Sequence, residues 1–253
     1  MNLPADKKAI VRRGNKIVYD CGDRIIKVFN ENKPAADVFN EALNLARVEE
    51  AGADVPRILE VSESEAGWAL ATEKVPGVTL AERMEADPKN LDAYLEQFVD
   101  LQLKLQTLRS PLLTQQKDKF VRMINTVEEI DKTTRYEVLM KLDGMPKHNK
   151  LCHGDFNPTN VIVGDDGKLS VCDWAHATQG NGSADAATTY LLFEIEGKND
   201  VAERYLDLYC QKAPTNRRYV LDWIAIVAAS ELARKRVGDR GLLLGWATAA
   251  DYE

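Results

Sequence analysis

The octapeptide His153-Gly154-Asp155-Phe156-Asn157-Pro158-Thr159-Asn160, followed thirteen residues after Asn160 by Asp173, constrains this chain more than any other feature. Between Asn160 and Asp173 lie two β-prone runs, Asn160 to Val163 and Lys168 to Cys172, joined by Gly164-Asp165-Asp166-Gly167, which predicts a hairpin. A hairpin brings its two ends together, so Asn160 and Asp173 are expected side by side, with Asp155 five residues upstream of Asn160. An amide oxygen and a carboxylate suit Mg²⁺, which takes few protein carboxylates and keeps water and phosphate in its other positions. Aspartates clustered without a cation would repel, and one would tend to hold a proton. Phosphoryl transfer needs a metal on the polyphosphate, a cation on the phosphates and a carboxylate aligning the attacking hydroxyl. The pattern supplies the first and the last, with Asp155 facing the acceptor. The same letters can also be read as turn-capping Asp and Asn beside a core histidine. His153 itself reads as a buried orienter of the loop rather than a base or ligand.

The flanking sequence predicts an α+β chain of two lobes. Lys16 to Tyr19 and Arg24 to Phe29 are β-rich runs separated by Asp20-Cys21-Gly22-Asp23, a tight hairpin signature. Pro34 suits a first helical turn, and helical periodicity runs from there to Val48, stopping near Gly52. Val38, Glu41, Leu45 and Val48 share one stripe of that helix, and a carboxylate on an inward stripe needs a partner. Strand-like runs at Arg57 to Val61 and Trp68 to Glu73 precede the turn-prone Val75-Pro76-Gly77. The lobe boundary is placed there: residues 1–75 form a β-rich small lobe and 76–253 a mainly helical large lobe. Helices are expected at Leu91 to Leu105 and near 112–143, 184–212 and 216–247.

HGDFNPTN followed by the strand-borne Val171-Cys172-Asp173-Trp174 resembles the aminoglycoside phosphotransferase and choline kinase group of the protein-kinase-like fold. The resemblance implies that Lys27, in RIIKVF, holds the α- and β-phosphates of ATP or GTP and pairs with Glu41. It implies that the Glu73 carbonyl and the Val75 amide meet the nucleotide base, and that Asn160 and Asp173 hold Mg²⁺. Asp155 becomes the catalytic residue, and Asp185 the residue that steadies the catalytic loop beside His153. An Asp at a helix start would also serve as an N-cap, and both roles can hold. One departure is definite. There is no GxGxxG, and the only glycines before Lys27 are Gly14 and Gly22, so the expected phosphate cover is a short polar hairpin around Asp20 to Asp23.

Charge narrows the partners. With 33 Lys plus Arg against 40 Asp plus Glu, spread along the chain, a broad basic face for nucleic acid or anionic membrane is not expected. Cys21, Cys152, Cys172 and Cys210 form no CxxC pair, and three histidines complete no zinc pattern, which suits a reducing cytoplasm. The expected activity is therefore transfer of the γ-phosphoryl group to a hydroxyl of a small aminoglycoside-, choline- or sugar-like molecule. A catalytically silent nucleotide-binding regulator on the same fold is the alternative. A protein kinase is disfavoured because only eleven residues separate Asp173 from Asp185, and no Ala-Pro-Glu motif follows. Nothing in the sequence specifies an oligomeric state. Trp174, Phe156 and Tyr190 either box a quaternary ammonium or pack the loop.

Overall fold

The computed structural model describes residues 1–234 and 240–249. In chain order the elements are β1 (Lys8–Arg13), β2 (Lys16–Asp20), β3 (Arg24–Phe29), α1 (Ala35–Glu50), β4 (Ile58–Ser64), β5 (Gly67–Glu73), β6 (Gly77–Thr79), α2 (Leu80–Ala86), α3 (Leu91–Leu105), α4 (Gln116–Asn125), α5 (Lys132–Gly144), β7 (Lys150–Cys152), β8 (Val161–Gly164), β9 (Leu169–Val171), β10 (Thr178–Gly180), α6 (Gly182–Ile195), α7 (Asn199–Lys212), α8 (Arg217–Leu221), α9 (Ile224–Ala233) and α10 (Arg240–Thr248). They pack as two compact units, residues 1–83 with 159–176, and the remainder.

The first unit is built on an antiparallel sheet in the order β1-β2-β3-β5-β4. Alternation along β3 separates its side chains by face. Ile26 and Val28 bury against Ala69 and Ala71 of β5 on one side. Phe29 turns the other way and buries with Val38 and Ala42 of α1 and Leu70 of β5. Lys27 alternates with Ile26 and Val28, so it shares the α1 face with Phe29. Burying each large apolar side chain of that cluster contributes roughly 1.5–3 kcal/mol. Helix α1 ends because Gly52 takes φ +90°, with its amide on the Glu49 carbonyl at 2.9 Å and the Ala53 amide on Val48 at 3.2 Å.

A second sheet in this unit has the order β6-β8-β9. The hairpin of β8 and β9 is the one expected from the sequence. Its third strand, β6, was not expected, because Pro76 and Gly77 read as turn. Gly77 pairs with Gly164 at φ +142°, where a Cβ would stand 2.1 Å from the Val163 carbonyl oxygen. Only glycine permits that approach. The edge strand β1 was equally hidden, since KAIVRR is charged and almost wholly exposed.

The second unit is mainly helical. Helix α3 buries Leu95, Phe98, Val99, Leu101, Gln102 and Leu105, and α7 buries Tyr205, Leu206 and Tyr209. Every residue of α6 from Gly182 to Phe193 is buried, which explains its near-continuous small and apolar sequence. Between α6 and α7 the chain breaks at Gly197, with φ +70°. Strands β7 and β10 pair antiparallel, Cys152 opposite Thr178, and β7 leads directly into His153. Among the described residues, no helix is long and apolar enough to cross a membrane.

Candidate active site

In the first unit, Lys27 reaches the carboxylates that the sequence assigned to separate roles. Its Nζ donates to Glu41 Oε1 and to Asp173 Oδ1, each at 2.8 Å. Glu41 is 2% exposed, and Lys33 stands 3.6 Å from its second oxygen, an ion pair beyond hydrogen-bonding reach. Burial alone would push the Lys27 ammonium down, but the charges of Asp173 and Glu41 and their hydrogen bonds raise it above its usual range. For Asp173 the balance has the opposite sign. Burial favours the protonated acid, yet Lys27 and Lys16 together hold the carboxyl well below its ordinary value.

The hairpin presents Asp173 as expected. Val161 pairs with Val171, and the Cys172 amide donates to the Asn160 carbonyl at 2.9 Å, which places Asn160 and Asp173 at adjoining hairpin ends. Asp54 anchors the far strand, accepting from the Val171 amide and from Ser170 Oγ, both at 3.2 Å. Beyond it, Asn44 of α1 donates to the Trp174 and Ala175 carbonyls at 3.5 and 3.4 Å. Among the described residues, Asp173 is the one non-glycine with positive φ, +64°. Such backbone costs energy and collects at functional sites. Glu73 ends β5, with its amide on the Arg57 carbonyl at 2.9 Å and its side chain paired to the Arg57 guanidinium. Lys74 is tied to Asp20 at 2.8 Å, and Val75 follows in the connection to β6.

In the second unit, Asp185 lies one turn inside α6, and the N-cap is Asn181, whose side chain accepts from the Ser183 amide at 2.9 Å. Asp185 instead accepts from the backbone that follows β7, from Gly154 N at 2.6 Å and His153 N at 3.3 Å. Burial raises the Asp185 carboxyl pKa despite those donors. His153 accepts the Asp155 amide at Nδ1, 3.2 Å away, a contact within its own loop. Asp155 itself is buried, with Asn157 Nδ2 3.2 Å from its Oδ1. Phe156 stacks on Phe98 with centroids 4.4 Å apart, and Tyr190 donates to Glu203 at 2.9 Å. In the first unit, Trp174 Nε1 donates to the Val171 carbonyl at 2.9 Å and its ring is buried. These rings serve packing.

Three side chains that contact the candidate residues were missed in the sequence. Lys16 donates to Asp173 Oδ2 at 3.0 Å. Its signal was available, since Lys16 and Val18 alternate onto one face and Val18 pairs with Lys27. Gln102 donates to Asp185 Oδ2 at 3.5 Å, and Arg234 donates to the Gly154 carbonyl at 2.7 Å. Neither had a sequence signal, because Gln102 arrives from α3 and Arg234 from the end of α9, both distant in the chain. Lys119 shares the Asp155 neighbourhood, where burial and then Arg234 push its ammonium down against the carboxylates of Glu231 and Asp155. A cavity of about 600 Å³ in this unit is lined by Arg109, Lys117, Lys147, His148 and Lys150 among others, and none of His153, Asp155 or Asp185 reaches it.

The order of these groups along the chain is that of a known family. The sequence profile of the phosphotransferase enzyme family (APH) matches residues 15–221. The chain belongs to this family. Its fold is correspondingly the protein-kinase-like fold of aminoglycoside phosphotransferases and choline kinases. A thermostable mutant of aminoglycoside phosphotransferase APH(4)-Ia, crystallised as a ternary complex with ADP and hygromycin B, superposes with a TM-score of 0.69 at 16% identity, covering 97% of this chain and 92% of that one. Choline kinase LicA from Streptococcus pneumoniae gives 0.68 at 15% identity, with 98% and 94% covered. A choline/ethanolamine kinase family protein from Mesorhizobium loti gives 0.62 at 16%, with 96% and 85% covered. No curated protein matches the sequence.

Proposed function

We propose that the protein transfers the γ-phosphoryl group of ATP or GTP to a hydroxyl of a small molecule in the cytoplasm. The observation that carries this reading is the Lys27 ammonium held between buried Glu41 and the hairpin-borne Asp173. A lysine fixed in this way has one orientation to offer a polyphosphate, and catalysis of phosphoryl transfer consists mainly of such positioning and charge.

Residues 1–75 would supply most of the nucleotide site. Lys27 contacts the α- and β-phosphates, Glu41 orients Lys27, and the Glu73 carbonyl and Val75 amide meet the base. The β8 and β9 hairpin, which packs in the first unit, would provide the metal ligands, and the helical remainder the acceptor site. The donor set of Asn160 and Asp173, an amide oxygen and a carboxylate at adjoining strand ends, fits Mg²⁺. When bound, Mg²⁺ would neutralise phosphate charge and polarise the transferred group. Asp155 would align the acceptor hydroxyl and take its proton as the oxygen attacks phosphorus and the nucleoside diphosphate leaves. Asp185, with His153, would hold the loop that presents Asp155.

The acceptors named for the structural relatives, hygromycin B and choline, support a polar polyhydroxyl or amino-alcohol substrate here. The test is nucleoside diphosphate release and phosphorylated product in a panel of aminoglycosides, amino alcohols and sugars, with Mg²⁺ and ATP or GTP. Loss of turnover in both Asp155→Ala and Asp173→Ala, with folding intact, is the expected result. Full activity in both would overturn the proposal, and tight nucleotide binding without turnover would favour the silent regulator.

A further inference from the structure

Lys16 follows the tight turn between β1 and β2, at Gly14-Asn15, and Asn30 pins that turn. The Asn30 amide donates to the Asn15 carbonyl at 3.1 Å, and Asn30 Nδ2 donates to the Gly14 carbonyl at 2.9 Å. In the ladder of β2 with β3, Lys16 is opposite Phe29 and Val18 opposite Lys27. Paired residues share a face and alternate residues return to it, so Lys16, Val18, Lys27 and Phe29 all project together. Each lysine takes one oxygen of Asp173, Lys27 at Oδ1 and Lys16 at Oδ2. The side chain of Lys16 is 17% exposed.

The chain has no glycine-rich loop whose backbone amides could wrap a polyphosphate. Counting formal charges in the first unit, Lys16, Lys27 and Lys33 face Glu41 and Asp173, one cation in excess. Glu41 is committed to Lys27, which leaves Lys16 with Asp173 as its partner in the cluster. A nucleotide that brings anionic oxygens to the same carboxylate offers Lys16 the alternative partner its position suits. We propose that Lys16 is a nucleotide-binding residue that grips the polyphosphate with a side-chain ammonium, in place of the amides of a glycine-rich loop. This rests on the nucleotide reading of the same site.

The test compares wild type, Lys16→Met and Lys16→Arg by calorimetric titration with Mg·ATP, Mg·GTP and the corresponding nucleosides. A charge-assisted hydrogen bond implies that Lys16→Met weakens triphosphate binding about 10- to 100-fold. Nucleoside affinity should stay unchanged, and Lys16→Arg should recover much of the loss. A merely structural ion pair would leave the triphosphate-to-nucleoside preference of Lys16→Met equal to that of wild type, which overturns the role of Lys16. Wild type that binds no nucleoside triphosphate overturns the underlying reading instead.

Discussion

Lys27 Nζ lies 2.8 Å from Glu41 Oε1, joining a strand of the sheet to the buried stripe of helix α1. Removing one partner strands the other. Lys27→Ala leaves a carboxylate that is 2% exposed with Lys33 at 3.6 Å, so it should cost about 3 kcal/mol in denaturant unfolding. The double variant Lys27→Met/Glu41→Leu should recover most of that loss. A double variant as unstable as the sum of its singles would show that the pair is not coupled.

The same cluster sets an acid dependence. Despite burial, Lys27 and Lys16 hold the Asp173 carboxyl well below its ordinary 3.8. A carboxyl whose folded-state pKa is lowered contributes stability that is fully present above its unfolded value and lost as pH falls through the folded one. The stability advantage of wild type over Asp173→Asn should therefore shrink below about pH 4. Thermal unfolding of both proteins from neutral pH downward measures it. A gap that stays constant across that range would contradict the assignment.

Asp185 acts on the loop of Asp155 through backbone donors. Asp185→Ala would orphan the Gly154 and His153 amides, at about 1–3 kcal/mol for each buried donor left unpaired. Displacing Asp155 should lower kcat by roughly tenfold to a hundredfold. The nucleotide contacts assigned here lie in other segments, so affinity for Mg·ATP should change less than about twofold, within the ordinary scatter of independent sites. A matching loss of nucleotide affinity would show a general unfolding defect.

The hairpin that carries Asn160 and Asp173 depends on Gly77. Gly77→Ala places a Cβ 2.1 Å from the Val163 oxygen at φ +142°, and the clash should cost about 1–3 kcal/mol. Gly14→Ala, with nothing within 4 Å of the added carbon, is the neutral control. Equal melting temperatures for the two variants would refute the argument.

Much of the site was readable in the sequence because it obeys short-range periodicities. Helical spacing put Glu41 beside Val38 and Leu45, and a four-residue turn brought Asn160 toward Asp173, whereas Lys27 stood out only through the family resemblance. What escaped lacks such a rule. β6 is three residues long and reads as a turn, and β1 is an exposed charged edge. The grip of Arg234 on Gly154 spans 80 residues of sequence, and no local pattern encodes a partner at that distance. Lys16 lies between these cases, since the hairpin predicts its face but not the carboxylate it meets.

In the proposed reaction Asp155 aligns a hydroxyl for attack on a nucleotide γ-phosphoryl group. The most direct measurement is Mg²⁺-dependent nucleoside diphosphate release by wild type and Asp155→Asn, with the best acceptor from the panel and nucleotide affinity determined in parallel. Asp155→Asn should bind Mg·ATP as wild type does but lose at least about 100-fold in kcat, the scale of a lost general base. Undiminished turnover in Asp155→Asn would contradict it.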